Sequence, residues 1–128
     1  MEAFNITNTY VALENGGHAR ALPVDENFWP ALIGGRLGRV DRLLSCLSFD
    51  KDWSAWERHP AGEEFVCLLE GEVELHLEKE DGTQDKIVLD RPGSFVLVPP
   101  NTWHTAKVRR PAKMLFVTAG EGTNNRPV

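Results

Sequence analysis

The sequence of 128 residues has few cysteines, no excess of basic residues and no long apolar run. Its two cysteines, Cys46 and Cys67, lie in apolar strand-like segments, so we expect buried thiols and no disulfide. The formal net charge of −5 argues against a nucleic-acid partner, which usually requires a basic face. No segment is apolar enough to cross a bilayer, and the first residues lack the features of a secretion signal. We therefore expect a cytoplasmic protein without a nucleic-acid or membrane partner.

Short apolar segments separated by Gly, Pro, Asn and Asp make up most of the chain. The clearest strand pattern spans Glu72–Glu78, where Val73, Leu75 and Leu77 alternate with polar residues. This alternation predicts a strand with one wet face, and we expect His76 to lie exposed on that face. Many short strands with turn residues between them are typical of an all-β sandwich or barrel.

The predicted strands divide the single domain into three segments. Residues 1–39 are expected to form an N-terminal hairpin, with an Asn-Gly turn at residues 15–16, and at most one short helix. Residues 40–119 are expected to form the barrel on which this segment packs. Residues 120–128 contain Gly, Asn and Pro, and we expect them to be a flexible C-terminal tail.

Four side chains suited to metal binding lie at the ends of predicted strands. Glu57 and His59 share a face if their segment is extended, because side chains alternate along a strand. A Pro-Ala-Gly turn then brings Glu64, which opens the next strand, back beside them. His104 begins another strand after a rigid Pro-Pro-Asn turn. Glu63 is the alternative to Glu64, but the alternation of the strand favours Glu64.

The spacing of these residues resembles the two motifs of the cupin superfamily. Its first motif, G-x5-H-x-H-x3–4-E-x6-G, is similar to the segment from Glu57 to Gly71, with Glu57 at the first histidine position. Its second motif, G-x5-P-x-G-x2-H-x3-N, is similar to the segment that begins at Gly93 and contains His104, with Asn101 at the inner glycine position. Two motifs at the proper separation are far more specific than one. The sequence also departs from the motifs at two structural positions, Lys51 and Val108.

The resemblance implies a cupin double-stranded β-helix, or jelly-roll barrel, that holds one divalent metal ion per chain. The implied ligands are Glu57, His59, Glu64 and His104, a set that suits Fe, Mn, Ni or Zn. Two carboxylates and two imidazoles inside an apolar barrel would be costly without a cation, which favours the same conclusion. The alternative is that Glu57 turns outward and the other three form a neutral hydrogen-bonded cluster.

Three functions are compatible with such a barrel. A metal-dependent dioxygenase, isomerase or lyase would use an open coordination position on a small organic substrate. The alternatives are a non-catalytic cupin that binds or senses a small molecule, and a metal-free barrel with a structural or interaction role. Trp103 and Val66 are the candidate residues of the pocket, and Trp53 is a weaker one. Barrels of this kind leave edge strands unpaired, so we also expect a homodimer.

Overall fold

The computed structural model describes all 128 residues, and it consists mainly of antiparallel β-strands. The predicted all-β class, the N-terminal hairpin and the single short helix are confirmed. That helix is far too short to span a membrane. In chain order, the elements are β1 (Thr9–Glu14), β2 (His18–Pro23), α1 (Phe28–Ile33), β3 (Arg42–Phe49), β4 (Ala55–Arg58), β5 (Glu64–Glu78), β6 (Gln84–Leu89), β7 (Phe95–Val98), β8 (His104–Thr118) and β9 (Asn124–Pro127).

Strands β5 and β8, each 15 residues long, organise the sheet. They pair antiparallel, from Phe65 opposite Val117 to Leu77 opposite His104. The register shifts in the middle of β5, around Gly71, whose φ of +87° is a left-handed conformation. On either side of this bend the strands take different partners: β7 and β6 pair with the two halves of β5, and β4 and β3 pair with the two ends of β8. The bend therefore folds one continuous sheet into two facing layers.

The main core fills the space between the two layers. Val66 and Leu68 point into it before the bend, whereas Val73 and Leu75 do so after it, and all four are fully buried. The irregular register at Gly71 thus reverses the parity of inward side chains along β5. Burial of a side chain of this size stabilises a fold by about 2 kcal/mol, so the core depends on this reversal.

The N-terminal hairpin and α1 form a second, smaller core beside the barrel. Tyr10 on β1 packs edge-on against Phe28 of α1, with ring centroids 5.2 Å apart. The hydroxyl of Tyr10 donates a hydrogen bond of 2.9 Å to the carbonyl oxygen of Cys46 on β3. Buried Leu22 and Leu43 complete the contact between the hairpin and the barrel. These contacts hold α1 at one end of the barrel, where it borders the cavity described below.

Two parts of the structure differ from the sequence-based expectations. Residues 120–128 were expected to form a flexible tail, but they contain β9, which pairs with β4 and forms the edge of the sheet there. Composition alone did not reveal this partner, because β4 lies more than 60 residues away in the chain. His76 was expected to be exposed, but it is buried at 8% exposure, with Nε2 2.7 Å from Oε1 of Glu74. Arg109 of β8 also forms an ion pair with Glu74, so charged side chains cover this face.

The bend predicts a large difference between two glycine substitutions. A Cβ atom at Gly71 would lie 2.1 Å from the carbonyl oxygen of Pro111, whereas at Gly82, with a similar φ of +85°, nothing lies within 4 Å. Gly71→Ala should reduce the free energy of unfolding by roughly 3 kcal/mol, and Gly82→Ala by about 1 kcal/mol from backbone strain alone. Urea unfolding measures both. Equal losses would show that β5 does not make this close approach to β8.

Candidate metal centre

Three strands bring the four predicted side chains together at one end of the barrel. Glu57 on β4 lies directly opposite His104, the first residue of β8. His59 follows Glu57 by two residues and therefore lies on the same inward face. Glu64 begins β5, which runs beside β8. The arrangement places two carboxylates and two imidazoles around one point.

The ε-nitrogens of both histidines face carboxylate oxygens. Nε2 of His104 lies 3.0 Å from Oε1 of Glu64, and Nε2 of His59 lies 3.2 Å from Oε2 of the same carboxylate. Oε2 of Glu57 lies 3.6 Å from Nε2 of His59. One possible ligand atom from each of Glu57, His59 and His104 falls within 4.8 Å of the others. Glu64 contacts both rings of this group and completes a cluster of four.

The δ-nitrogens of the two rings each face a hydrogen-bond acceptor outside the cluster. Nδ1 of His104 donates a hydrogen bond of 2.9 Å to the carbonyl oxygen of Thr102. Nδ1 of His59 lies 2.7 Å from the hydroxyl of Thr123, and that hydroxyl donates its only proton to the carbonyl oxygen of Gly120 at 2.8 Å. With the hydroxyl proton directed at Gly120, Nδ1 of His59 is assigned as the donor to Thr123. In both neutral rings the lone pair is left on Nε2, which faces the carboxylates.

Burial and charge shift the pKa values of three groups in opposite directions. Burial alone would raise the pKa of Glu64, but His104 and His59 outweigh it and lower that pKa to about 2. Burial alone would lower the pKa of His104, but the hydrogen bond and charge of Glu64 raise it above its usual value. Loss of hydration, followed by the charge of Glu64, raises the pKa of Glu57. Glu64 is therefore the permanent anion, and Glu57 is the carboxylate that takes up a proton more readily.

The donor set fits a divalent metal ion. Nε2 of His59 is buried and has no hydrogen-bond partner, although it lies 3.2 Å from Oε2 of Glu64. Neutral imidazoles would present two lone pairs to two carboxylates, an arrangement that needs either protons or a cation between them. Imidazole nitrogen and carboxylate oxygen are the natural ligands of Fe, Mn, Ni and Zn.

The cluster opens on a cavity of about 1390 Å³ that extends toward α1. Glu57, with 42% of its side chain exposed, faces this cavity, whereas Glu64 is 5% exposed. A smaller hollow of about 410 Å³ elsewhere contains none of the four side chains. The walls of the larger cavity near the cluster combine aromatic and hydroxyl side chains: Phe49, Trp53, Phe116, Ser45, Thr118 and Thr123.

Trp103, predicted as an aromatic wall of the pocket, does not line this cavity. It directly precedes the inward-pointing His104, so its own side chain lies on the opposite face of the chain. There its ring stacks against two cations, with the guanidinium carbons of Arg126 and Arg58 at 4.5 and 4.6 Å from the ring centroid. Strand parity was the available signal for this outward position.

Val66, the other predicted pocket residue, belongs to the main core and is fully buried. Trp53, the weaker candidate, borders the cavity instead, with its ring centroid 6.3 Å from that of His104. Thr123 and Thr118, whose hydroxyls hydrogen-bond to His59 and Glu64, were not predicted from the sequence. No local pattern pointed to them, because both reach the site through strand pairing over long sequence distances.

The fold and the site together define a small bent antiparallel barrel with a possible metal site among inward carboxylates and imidazoles. The family model of the cupin domain matches residues 49–118, more than half of the chain. The chain belongs to the cupin family. No curated protein sequence matches it.

Several solved structures share the fold. A cupin superfamily protein from Desulfitobacterium hafniense is 24% identical, with a TM-score of 0.53 over 65% of this chain and 71% of the other. Hydroquinone 1,2-dioxygenase from Sphingomonas sp. TTNP3, with 4-hydroxybenzoate bound, is 24% identical, with a TM-score of 0.54 over 64% and 62%. Hydroxypropylphosphonic acid epoxidase from S. wedmorenis is 21% identical, with a TM-score of 0.51 over 61% and 43%. The chain thus spans less than two thirds of both enzymes, and identities this low show the fold alone.

The opposite pKa shifts predict a pH optimum for the stability of metal-free protein. The lowered pKa of Glu64 stabilises the fold above pH 4.5, the ordinary value of its carboxyl, and this contribution is lost as the pH falls toward 2. The raised pKa of His104 stabilises the fold below pH 6.5 and is lost as the pH rises through the raised value. Chelator-treated protein should therefore resist unfolding best between these limits.

Denaturant unfolding of wild type and Glu64→Gln across this range provides the test. The variant should lose the optimum, because its neutral amide carries no charge for the imidazolium of His104 to pair with. Parallel pH profiles for the two proteins would contradict the assignment of the ion pair to Glu64.

Proposed function

We propose that this cupin binds one divalent metal ion through Glu57, His59, Glu64 and His104, and acts as a metal-dependent enzyme on a small organic molecule. The observation that carries the proposal is the unpartnered, buried Nε2 of His59, in a cluster that opens on the large cavity. A buried polar atom without a partner is costly, and a metal ion would remove that cost. Dioxygenase, isomerase and lyase chemistry all suit such a centre.

A divalent ion held there would act as a Lewis acid toward an oxygen-bearing substrate or activate a bound co-substrate. The side chains of the chain would perform the other tasks. His59 and His104 would present Nε2 lone pairs whose direction is set by their Nδ1 hydrogen bonds. Glu64, which stays ionised, would neutralise positive charge. Glu57 faces the cavity and has a raised pKa, so its carboxylate is the group suited to accept or return a proton.

The walls of the cavity support a substrate with an aromatic or apolar body and an oxygen-bearing end. Phe49, Trp53 and Phe116 form a continuous aromatic cluster, with ring centroids 5.4 to 6.2 Å apart. Ser45 and Thr118 add hydroxyls to the cavity wall, and the hydroxyl of Thr118 donates to Glu64. Polar groups other than the ligands favour an enzyme over a simple binder, because a reacting molecule must be oriented. A dioxygenase of similar fold binds 4-hydroxybenzoate, a molecule of this shape.

Removal of a histidine ligand should abolish metal binding. Protein purified without added metal should contain close to one divalent ion per chain by elemental analysis, whereas His104→Ala should contain almost none. Glu57→Ala should bind metal about 10- to 100-fold more weakly in titration, because one ligand of four is lost.

The matched control for these variants is His18→Ala, which removes an exposed histidine of the N-terminal hairpin and should leave the metal content unchanged. Wild-type protein that lacks metal and binds none on titration would overturn the proposed centre. An equal metal content in all four proteins would place the ion elsewhere.

Filling the cavity should weaken the binding of an organic ligand but leave metal binding intact. Ser45 is 3% exposed and points toward the cavity from β3, so Ser45→Leu would occupy space that a ligand needs. We expect 4-hydroxybenzoate to bind metal-loaded wild type in calorimetry and to bind the variant at least tenfold more weakly, at equal metal content. Unchanged affinity in the variant would show that the ligand binds outside this cavity. Turnover assays with phenolic and hydroxy acids would then separate an enzyme from a binding protein.

A further inference from the structure

The C-terminal segment, residues 120–127, crosses the open end of the barrel and reaches the metal-binding cluster. We call this segment the C-terminal strap. Its strand β9 pairs with β4, and Asn125 lies opposite Glu57, a proposed ligand. The strap also borders the cavity through Gly120, Gly122 and Thr123. The strap therefore touches the strand that carries Glu57 and ends just before His59, and it borders the space that a substrate would occupy.

Contacts on the outer surface hold the strap in place. The guanidinium of Arg126 stacks on the rings of Trp103 and Trp56, with its central carbon 4.5 and 5.1 Å from the centroids. The same group forms an ion pair with Glu78 at the end of β5. A cation held over two aromatic faces and beside a carboxylate is a stronger anchor than an isolated surface pair. These contacts explain why the strap is docked although most of its residues are exposed.

A tight turn at the start of the strap directs Thr123 at His59. Gly122 has a left-handed φ of +74°, and a Cβ there would lie 3.4 Å from Cγ of Pro60, next to His59. The amide and the hydroxyl of Thr123 both donate to the carbonyl oxygen of Gly120, at 3.1 and 2.8 Å. The hydroxyl oxygen is thereby oriented to accept the hydrogen bond of 2.7 Å from Nδ1 of His59.

The two histidines of the cluster therefore depend on different parts of the chain. His104 is oriented by the main-chain carbonyl of Thr102, two residues before it, which no substitution of a side chain removes. His59 is oriented by one hydroxyl, supplied from 64 residues further along. Without that hydroxyl, a neutral His59 ring could carry its proton on Nε2 and donate to Glu64, 3.2 Å away. The lone pair would then point away from the cluster.

We propose that the C-terminal strap is part of the metal centre, and that Thr123 is the positioning residue that keeps the proton of His59 on Nδ1 and its Nε2 lone pair available for a metal ion. The inference rests on the proposed metal-binding function, but it makes a claim about the His59 tautomer that holds without metal. Partners that orient a ligand histidine in this way typically contribute about 10- to 100-fold to metal affinity.

Thr123→Val and Thr123→Ser test this role. Valine keeps the shape of threonine but removes the hydroxyl, and serine keeps the hydroxyl. Nitrogen-15 NMR of the imidazoles in metal-free protein, at a pH where the rings are neutral, reports which nitrogen carries the proton. We expect the Nδ1–H form of His59 in wild type and Thr123→Ser, and a shift toward the Nε2–H form in Thr123→Val. The His104 signals should not change, because their partner is a main-chain carbonyl.

The same proteins are then titrated with Zn²⁺ or Mn²⁺. Thr123→Val should bind the ion at least about tenfold more weakly than wild type, while Thr123→Ser should recover most of the affinity. The matched control is Thr83→Val, which removes a hydroxyl bonded to Asp81 in a distant exposed turn and should leave affinity unchanged. Thermal unfolding of the metal-free proteins shows whether a loss of affinity in Thr123→Val arises from general destabilisation.

The outcomes separate this inference from the proposed function. If wild type binds metal and Thr123→Val binds it equally well with an unchanged tautomer, the role of Thr123 is wrong and the metal centre stands. If no variant and no wild type binds metal, the proposed function is wrong, and the NMR of His59 alone decides the role of Thr123. A wild-type His59 that already carries its proton on Nε2 would overturn the inference in either case.

Thermodynamic reciprocity supplies a second readout on wild-type protein. If docking of the strap favours metal binding, metal binding must stabilise the docked strap by the same free energy. Hydrogen exchange at the amides of residues 123–126 should therefore slow when Zn²⁺ or Mn²⁺ is added, and Thr123→Val should reduce this effect. Exchange in the strap that is indifferent to bound metal would contradict the coupling.

Discussion

The buried carboxylate of Glu64 is the constraint on which the site depends. An ionised group removed from water is costly unless charges and hydrogen bonds compensate it, and Glu64 is 5% exposed. Its oxygens lie beside both His104 and His59, and the hydroxyl of Thr118 donates to it as well. The imidazoles satisfy Glu64 only when Nε2 carries a proton or when a cation lies between them and the carboxylate. A cation bound between the carboxylate of Glu64 and the two imidazoles would be the simplest physical reason for this arrangement.

The fold supplies this arrangement by means of two long, bent strands. β8 carries His104 at its beginning and Thr118 at its end, and both contact Glu64 because β5 lies alongside β8 and the two strands bend together near Gly71. The reversal of inward parity at the bend keeps the core apolar on both sides. The geometry of the cluster and the stability of the barrel thus arise from the same register shift.

Local strand parity was sufficient to predict most of the cluster from the sequence. Glu57 and His59 are two residues apart, so they share one face of an extended segment. A Pro-Ala-Gly turn then returns the chain to Glu64, and these three positions follow from neighbouring residues. Contacts between distant segments could not be predicted in this way. Thr123 reaches His59 only because β9 pairs with β4, a pairing that the composition of residues 120–128 did not indicate. Trp103 was misplaced because an aromatic residue next to a ligand was expected inside, although its parity points outward.

We propose that a metal ion lies among Glu57, His59, Glu64 and His104. Anomalous X-ray diffraction from crystals of Mn²⁺- or Zn²⁺-loaded protein tests it most directly, because it locates the ion and identifies its ligands. An ion bound there should give a single strong peak about 2.0 to 2.3 Å from Nε2 of both histidines, with carboxylate oxygens completing the coordination. A barrel with no peak there, or an ion bound only by surface carboxylates while His59 and His104 remain paired with Glu64, would contradict it.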